Sequence, residues 1–344
     1  MGSHGTGNGV PSLLSAHIQS LLPQDGTRES LAQSVIPSIL QGISDIAKAL
    51  HDAQDVTRAG TANSFGDDQL NVDVISENHV RTALARCPSV RVASSEEDPI
   101  ERSVEHVAGT ESVQVGTEQY TVAFDPLDGS SIIAPNWTVG TIVGIWDSGQ
   151  TALSQSPASS QIASILGVYG PRTTAIIAIR IPGTPASCLE VGLGLRGIED
   201  CVIVRPSIRL PSLQSITPKT RYFAPANLRA AAEDERYMAL VSHYIRSKYT
   251  LRYSGGLVPD VVHALVKGHG VYISPVTGAS KAKLRRLYEL CPLALVVECA
   301  GGRAVDPVDG TDILAREIGN CDERGGLVCG TAEEVEFAMK GLLG

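Results

Sequence analysis

A chain of 344 residues with a hydrophobic fraction of 43% can bury a sizeable core, as two domains or one large one, which excludes a disordered protein. A charged fraction of 19% and a formal net charge of -9 argue against wholesale nucleic-acid binding. Seven scattered cysteines with no Cys-x-x-Cys point to reduced structural thiols, not to a disulfide framework or a zinc site.

No apolar run reaches transmembrane length and no transit peptide is evident, so a cytoplasmic protein without a membrane partner is expected. Met1-Gly2-Ser3-His4-Gly5-Thr6 fits a myristoylation pattern, although an expression-vector remnant is the preferred origin. Residues 1–27, rich in Gly, Ser and Pro, are expected to be flexible. From Arg28 the spacing of Leu31, Val35, Ile39, Ile43, Ile46 and Leu50 predicts a helix, kinked or divided at Pro37. Leu70, Val72 and Val74 alternate with polar residues, which predicts a half-buried strand ending near Ser76 and a helix over 77–86. Asp67 and Asp73 flank that run. Val90–Ala93 reads as a strand followed at once by Ser94-Ser95-Glu96-Glu97-Asp98, paired acids at a strand end.

Tyr120–Phe124 is another strand, and it runs into Asp125-Pro126-Leu127-Asp128-Gly129-Ser130-Ser131. Pro126 forces a turn that lets two carboxylates converge. Gly129 permits close backbone approach, and Ser130 and Ser131 supply hydroxyls and amide donors. Carboxylates hold a hard cation and amides hold a phosphate, which is the chemistry of a magnesium-dependent phosphatase. The plain alternative is a surface turn, since Asp, Pro, Gly and Ser are the usual turn residues. Two strands that both deliver acids at their carboxyl ends favour the site, because ligands of open α/β sheets gather there. Further on, Val139–Trp146 and Ile176–Ile181 read as strands, 149–161 as a loop, and Pro182–Pro218 as the region of the domain boundary. Residues 233–249 read as a helix with Met238, Val241 and Ile245 on one face. Ser280–Leu290 reads as a helix that stops before Pro292, its cations Lys281, Lys283, Arg285 and Arg286 forming a solvated face.

Several segments in one order carry a resemblance: Asn63-Ser64-Phe65-Gly66-Asp67, Ser95-Glu96-Glu97, Phe124 through Ser131, Tyr169-Gly170-Pro171-Arg172-Thr173-Thr174, Asn227-Leu228-Arg229-Ala230, Lys248 through Tyr253, and Lys281-Ala282-Lys283-Leu284-Arg285. From about Arg28 to the C-terminus the chain resembles the fructose-1,6-bisphosphatase and sedoheptulose-1,7-bisphosphatase family, and is more similar to its sedoheptulose branch. The resemblance implies an α/β sugar-phosphatase fold, a layered αβαβα sandwich with the active site between domains 28–215 and 216–344. It implies two or more magnesium ions held by Asp67, Glu96, Asp125, the Leu127 carbonyl, Asp128 and Glu289, with Asp73 and Glu97 handling the attacking water. Asp128, Gly129, Ser130 and Ser131 would face the scissile phosphate of a sugar bisphosphate. Asn227, Arg229, Arg252, Tyr253 and Lys283 would bind the rest of the substrate, with Arg252 able to cross between subunits of a homo-oligomer, a dimer or tetramer. The activity implied is removal of the 1-phosphate of sedoheptulose 1,7-bisphosphate. The alternatives are fructose-1,6-bisphosphatase and an inactive sugar-phosphate-binding regulatory homologue. Three departures matter. Arg58–Ala62 lacks the redox cysteine pair of plant-type relatives, Ala134 replaces the usual Asp, and Gln119 and Asp147 replace the cations of the AMP-binding branch.

Overall fold

The computed structural model describes residues 13–62, 68–108, 118–194 and 196–344. The first of these stretches opens on helix α1 (Leu13–Ser20), with Leu14, Ile18 and Leu22 buried. Composition predicts flexibility there, but apolar residues at four-residue spacing give the segment a face to dock. A π turn over Leu31–Val35 runs into α2 (Ile36–Asp52), and Pro37 sits in the first turn of α2, where its missing N–H costs no helical bond. Strands β1 (Arg58–Ala62) and β2 (Asp68–Leu70) form a small antiparallel pair.

The predicted strand through Val74 is instead helix α3 (Asn71–Leu84). Leu70 is extended, and its N–H donates to Asp73 Oδ2 at 2.8 Å, so Asp73 closes the first helical turn. The buried residues Val72, Ser76, Val80 and Ala83 then follow helical rather than alternating spacing.

The large sheet is built from β3 (Val90–Ser95), β4 (Arg102–Ser103), β5 (Tyr120–Asp128), β6 (Val139–Trp146), β7 (Gln161–Tyr169), β8 (Thr173–Ile179), β9 (Ser187–Gly194) and β10 (Gly197–Arg205). The order is β10-β9-β8-β7-β6-β5-β3-β4, antiparallel throughout except between β3 and β5. Single helical turns α4 (Ser130–Ile133) and α5 (Pro157–Ser160) interrupt the meander. Every residue of β5 and β6 is buried, because helices cover both faces of the sheet.

The rest of the chain forms β11 (Tyr222–Pro225), α6 (Glu235–Arg246), β12 (Thr250–Leu251), α7 (Leu257–Lys267), β13 (Val271–Ser274), β14 (Leu284–Arg285), α8 (Cys291–Cys299), β15 (Arg303–Val305), β16 (Arg324–Gly325), β17 (Leu327–Gly330) and α9 (Ala332–Leu343). The second sheet runs β12-β11-β13-β17-β15. Asp234 starts α6 by accepting the Arg236 N–H at 2.8 Å. The buried face of α6 is Tyr237, Leu240, Val241 and Tyr244, whereas Met238 and Ile245 are exposed, so the predicted face is rotated. The predicted helix over 280–290 is also different. Lys281 and Lys283 lie outside any helix or strand, β14 pairs with β16, and a π turn over Arg286–Leu290 leads into α8, with Pro292 in its first turn. Arg285 and Arg286 are buried, not solvated.

Three apolar cores hold five layers together. The first joins α1, α2 and α3 to one face of the large sheet. The second packs α7 and α8 between the two sheets. The third joins α6 and α9 to the outer face of the small sheet. The layering is αβαβα, as the resemblance implies.

Candidate active site

Sheet register brings the first two acids together. β3 and β5 are parallel with Ser95 opposite Phe124, so the next residues, Glu96 and Asp125, emerge side by side at one sheet edge. The Glu96 N–H donates to the Phe124 carbonyl at 3.0 Å, which extends the ladder by one bond. From the central layer, the π turn before α8 delivers Glu289. Glu96, Asp125 and Glu289 each place a carboxylate oxygen within 4.8 Å of the others.

Burial pushes the Asp125 carboxyl well above the usual carboxylate range, and Asp128 pushes it further. Glu289 is raised well above its usual range by burial and then by Asp125. Burial also lifts Asp73 and Asp128 to about 6 each. Clustered carboxylates that resist ionisation are relieved by a cation. An all-oxygen donor set of this kind suits a hard divalent ion. Within the protein, Arg285 supplies one positive charge by donating to Glu96, and its own N–H donates to Glu289. Arg285 is a site residue that sequence reading assigns to a helix face. Its position in the Lys-Ala-Lys-Leu-Arg segment was the available signal.

Asp128 is also anchored by backbone amides. Its two carboxylate oxygens accept the Leu257 N–H at 3.1 Å and the Val258 N–H at 2.7 Å, at the start of α7. An acid there meets unpaired amides and the positive end of the helix dipole. The approach is close because β6 carries Gly140 opposite Asp128: a Cβ on Gly140 would lie 2.5 Å from Val258 Cβ. Gly140→Ala is therefore expected to cost about 1–3 kcal/mol of stability through overpacking, read by chemical denaturation.

The other candidates spread around this centre. Asp67 lies outside the described residues. Asp73 is buried and Glu97 accepts from the Gln69 amide, and both add to the negative field that raises Asp125. Gln69 carried no sequence signal. Leu127 is buried, and its N–H donates to Asp125 Oδ1 at 3.0 Å. Gly129 adopts φ 91°, which glycine alone takes without strain, and leads into the turn holding Ser130 and Ser131. Arg252 and Tyr253 line a cavity of 980 Å³ with Arg172 and His263. Lys283 is exposed. Burial and Asp260 raise the Tyr253 hydroxyl while Arg229 pulls it back. Asn227 Nδ2 donates to the Pro275 carbonyl at 2.7 Å. The larger cavity, 1270 Å³ beside α2, contains none of the acids. Asp147 is ion-paired to Arg28. All seven cysteines are free.

The raised carboxyls fix a pH dependence. Asp73, ordinarily at 3.8, titrates near 6 in the fold. A raised carboxyl favours folding when protonated, so its contribution is full at low pH and is lost as pH rises through about 4 to 6. The shift corresponds to roughly 3 kcal/mol for the metal-free protein. Metal-free protein is therefore expected to melt higher near pH 5 than near pH 7, and the gain from added magnesium is expected to be larger at the higher pH. Differential scanning calorimetry checks both signs.

Comparison with known proteins now bears on this geometry. Models of the fructose-1-6-bisphosphatase N-terminal and C-terminal domains match residues 22–195 and 216–342. The chloroplastic sedoheptulose-1,7-bisphosphatase of Triticum aestivum is 37% identical over 279 residues, covering 80% of this chain and 65% of that protein. The chain thus spans just under two thirds of the wheat protein's length. The fructose-1,6-bisphosphatase class 1 of Syntrophotalea carbinolica is 33% identical and is covered over 92% of its length, with 93% of this chain matched. A crystal structure from Toxoplasma gondii, provisionally named a sedoheptulose-1,7 bisphosphatase, superposes with TM-score 0.80 at 35% identity, covering 96% of this chain and 98% of that one. The layered fold and the strand-end acids define the class as a layered α/β protein with a clustered-carboxylate site. The chain belongs to the fructose-1,6-bisphosphatase family. Metal dependence is general to that family. No helix among the described residues is long and apolar enough to cross a membrane.

Proposed function

We propose that the protein hydrolyses the 1-phosphate of sedoheptulose 1,7-bisphosphate, releasing sedoheptulose 7-phosphate and inorganic phosphate with magnesium as cofactor. The observation that carries this reading is the convergence of Glu96, Asp125 and Glu289, with Asp125 on the strand that runs into the Gly129–Ser131 turn. The likeness to sedoheptulose-bisphosphatases supports the substrate. Glu96, Asp125, Glu289, Asp128, the Leu127 carbonyl and Asp67 would hold two or more magnesium ions, which supply Lewis-acid neutralisation of phosphoryl charge. Asp73 and Glu97 hold the attacking water and take its proton. The water oxygen bonds to phosphorus, the bond from phosphorus to the sugar oxygen breaks, and that oxygen ends protonated. Amides and hydroxyls of Gly129, Ser130 and Ser131 orient the reacting phosphate. Asn227, Arg229, Arg252, Tyr253 and Lys283 hold the sugar and its distal phosphate.

Division of the chain at 215/216, with the site between the two parts, belongs to this proposal. So does a homo-oligomer in which the exposed Arg252 reaches a second subunit, and so does a cytoplasmic location, which the free thiols favour. Fructose-1,6-bisphosphatase is the second reading, favoured by class 1 relatives that match over most of their length. Purified protein with magnesium should release phosphate from sedoheptulose 1,7-bisphosphate, leave sedoheptulose 7-phosphate, and stop on chelation. Loss of the 7-phosphate, or no release at all, overturns the proposal.

A further inference from the structure

In a regular strand, residues three apart point to opposite faces. Asp125 and Asp128 would then be separated by the sheet. The β5/β6 register removes that separation. Asp125 lies opposite Ile142 and Asp128 opposite Gly140, three steps on one strand against two on its partner. This is a one-residue bulge, and it restores both acids to one side. Pro126 sits within it and has no N–H to give the ladder. Its carbonyl instead accepts from Thr141 Oγ1 at 2.8 Å. Thr141 is the β6 residue between the two facing positions, and it is fully buried. Its one hydroxyl proton goes to a carbonyl that can only accept, so the Tyr169 hydroxyl, 2.5 Å away, donates to Thr141 Oγ1. Tyr169 is itself buried on β7, and it opens the Tyr-Gly-Pro-Arg-Thr-Thr segment, which has no role in the reaction above.

We propose that Thr141 and Tyr169 are positioning residues. They form a buried chain of two hydroxyls that pins the bulge and keeps Asp125 and Asp128 on one side for a divalent cation. The proposal rests on the metal reading of the site.

The test is thermal melting of wild type, Thr141→Val, Thr141→Ser and Tyr169→Phe over a magnesium chloride titration without substrate. Loss of a bond to a buried carbonyl should make Thr141→Val need ~10-fold more magnesium for half of its full stabilisation. Tyr169→Phe leaves the bond to Pro126 in place and should need about 3-fold more. Thr141→Ser keeps the hydroxyl and should match wild type. A merely structural role would lower the metal-free melting temperature of Thr141→Val and leave its half-saturating magnesium unmoved, and that result overturns the proposal. Should Thr141→Val fail to fold, Tyr169→Phe decides: the shift supports the chain and its absence overturns it. A wild type that gains no stability from magnesium overturns the metal reading, and this proposal with it.

Discussion

Replacing Asp125 by alanine is expected to lower kcat/KM at saturating magnesium by at least ~10²-fold, the range seen when a preorganised charge-stabilising group is deleted. The same change is expected to raise the melting temperature of the metal-free protein. Both signs come from one cause. Asp125 is buried among Glu289, Glu96 and Asp128, and its carboxyl is held well above the usual range by burial and by Asp128. Folding the ionised site therefore forces like charges together, and removing one relieves the others. Activity depends on those charges and stability suffers from them. Paired assays of phosphate release and thermal melting check the two effects. Near-normal turnover by Asp125→Ala would remove that residue from the chemical site.

Lys283→Ala is expected to weaken binding of the bisphosphate by ~10-fold to 100-fold, since charge-assisted bonds to phosphate contribute roughly 1.5–3 kcal/mol. Some loss of turnover should accompany it, because remote binding energy also orients the reacting end. Lys283 is exposed, so the fold does not need it. A substrate without the distal phosphate supplies the control: wild type and Lys283→Ala should process it about equally poorly. If the variant slowed the truncated substrate as severely as the bisphosphate, Lys283 would act on the reacting phosphate and the two phosphate assignments would be exchanged.

The elements legible in the sequence are those whose burial writes itself into composition. β5 and β6 are covered on both faces, and their apolar stretches Val122–Phe124 and Ile142–Trp146 mark them as buried strands. β7 and β9 escape a periodicity reading, with Ser164 and Glu190 interrupting their apolar residues. In the fold, Ser164 donates to the Val143 carbonyl at 3.0 Å and Glu190 pairs with Arg205, so both polar groups are satisfied inside the sheet. α3 was misread because Leu70, Val72 and Val74 alternate by chance at the point where a strand hands over to a helix. The decisive feature, Asp73 closing on the Leu70 N–H, is a three-residue contact that no periodicity reports. The acids of the site were legible as strand-end pairs at Glu96 and Asp125. Glu289 was reached through resemblance alone, since it comes from a π turn of another layer. Arg285 was hidden by a false helix. Extended chain at β14 aims it inward, and only tertiary packing sets that direction.

The central claim is the substrate, and the most direct test is the ratio of kcat/KM for sedoheptulose 1,7-bisphosphate to that for fructose 1,6-bisphosphate, measured on the purified protein in magnesium. The account predicts a ratio above one, with phosphate released from carbon 1 of the seven-carbon sugar. A strong preference for fructose 1,6-bisphosphate would contradict it.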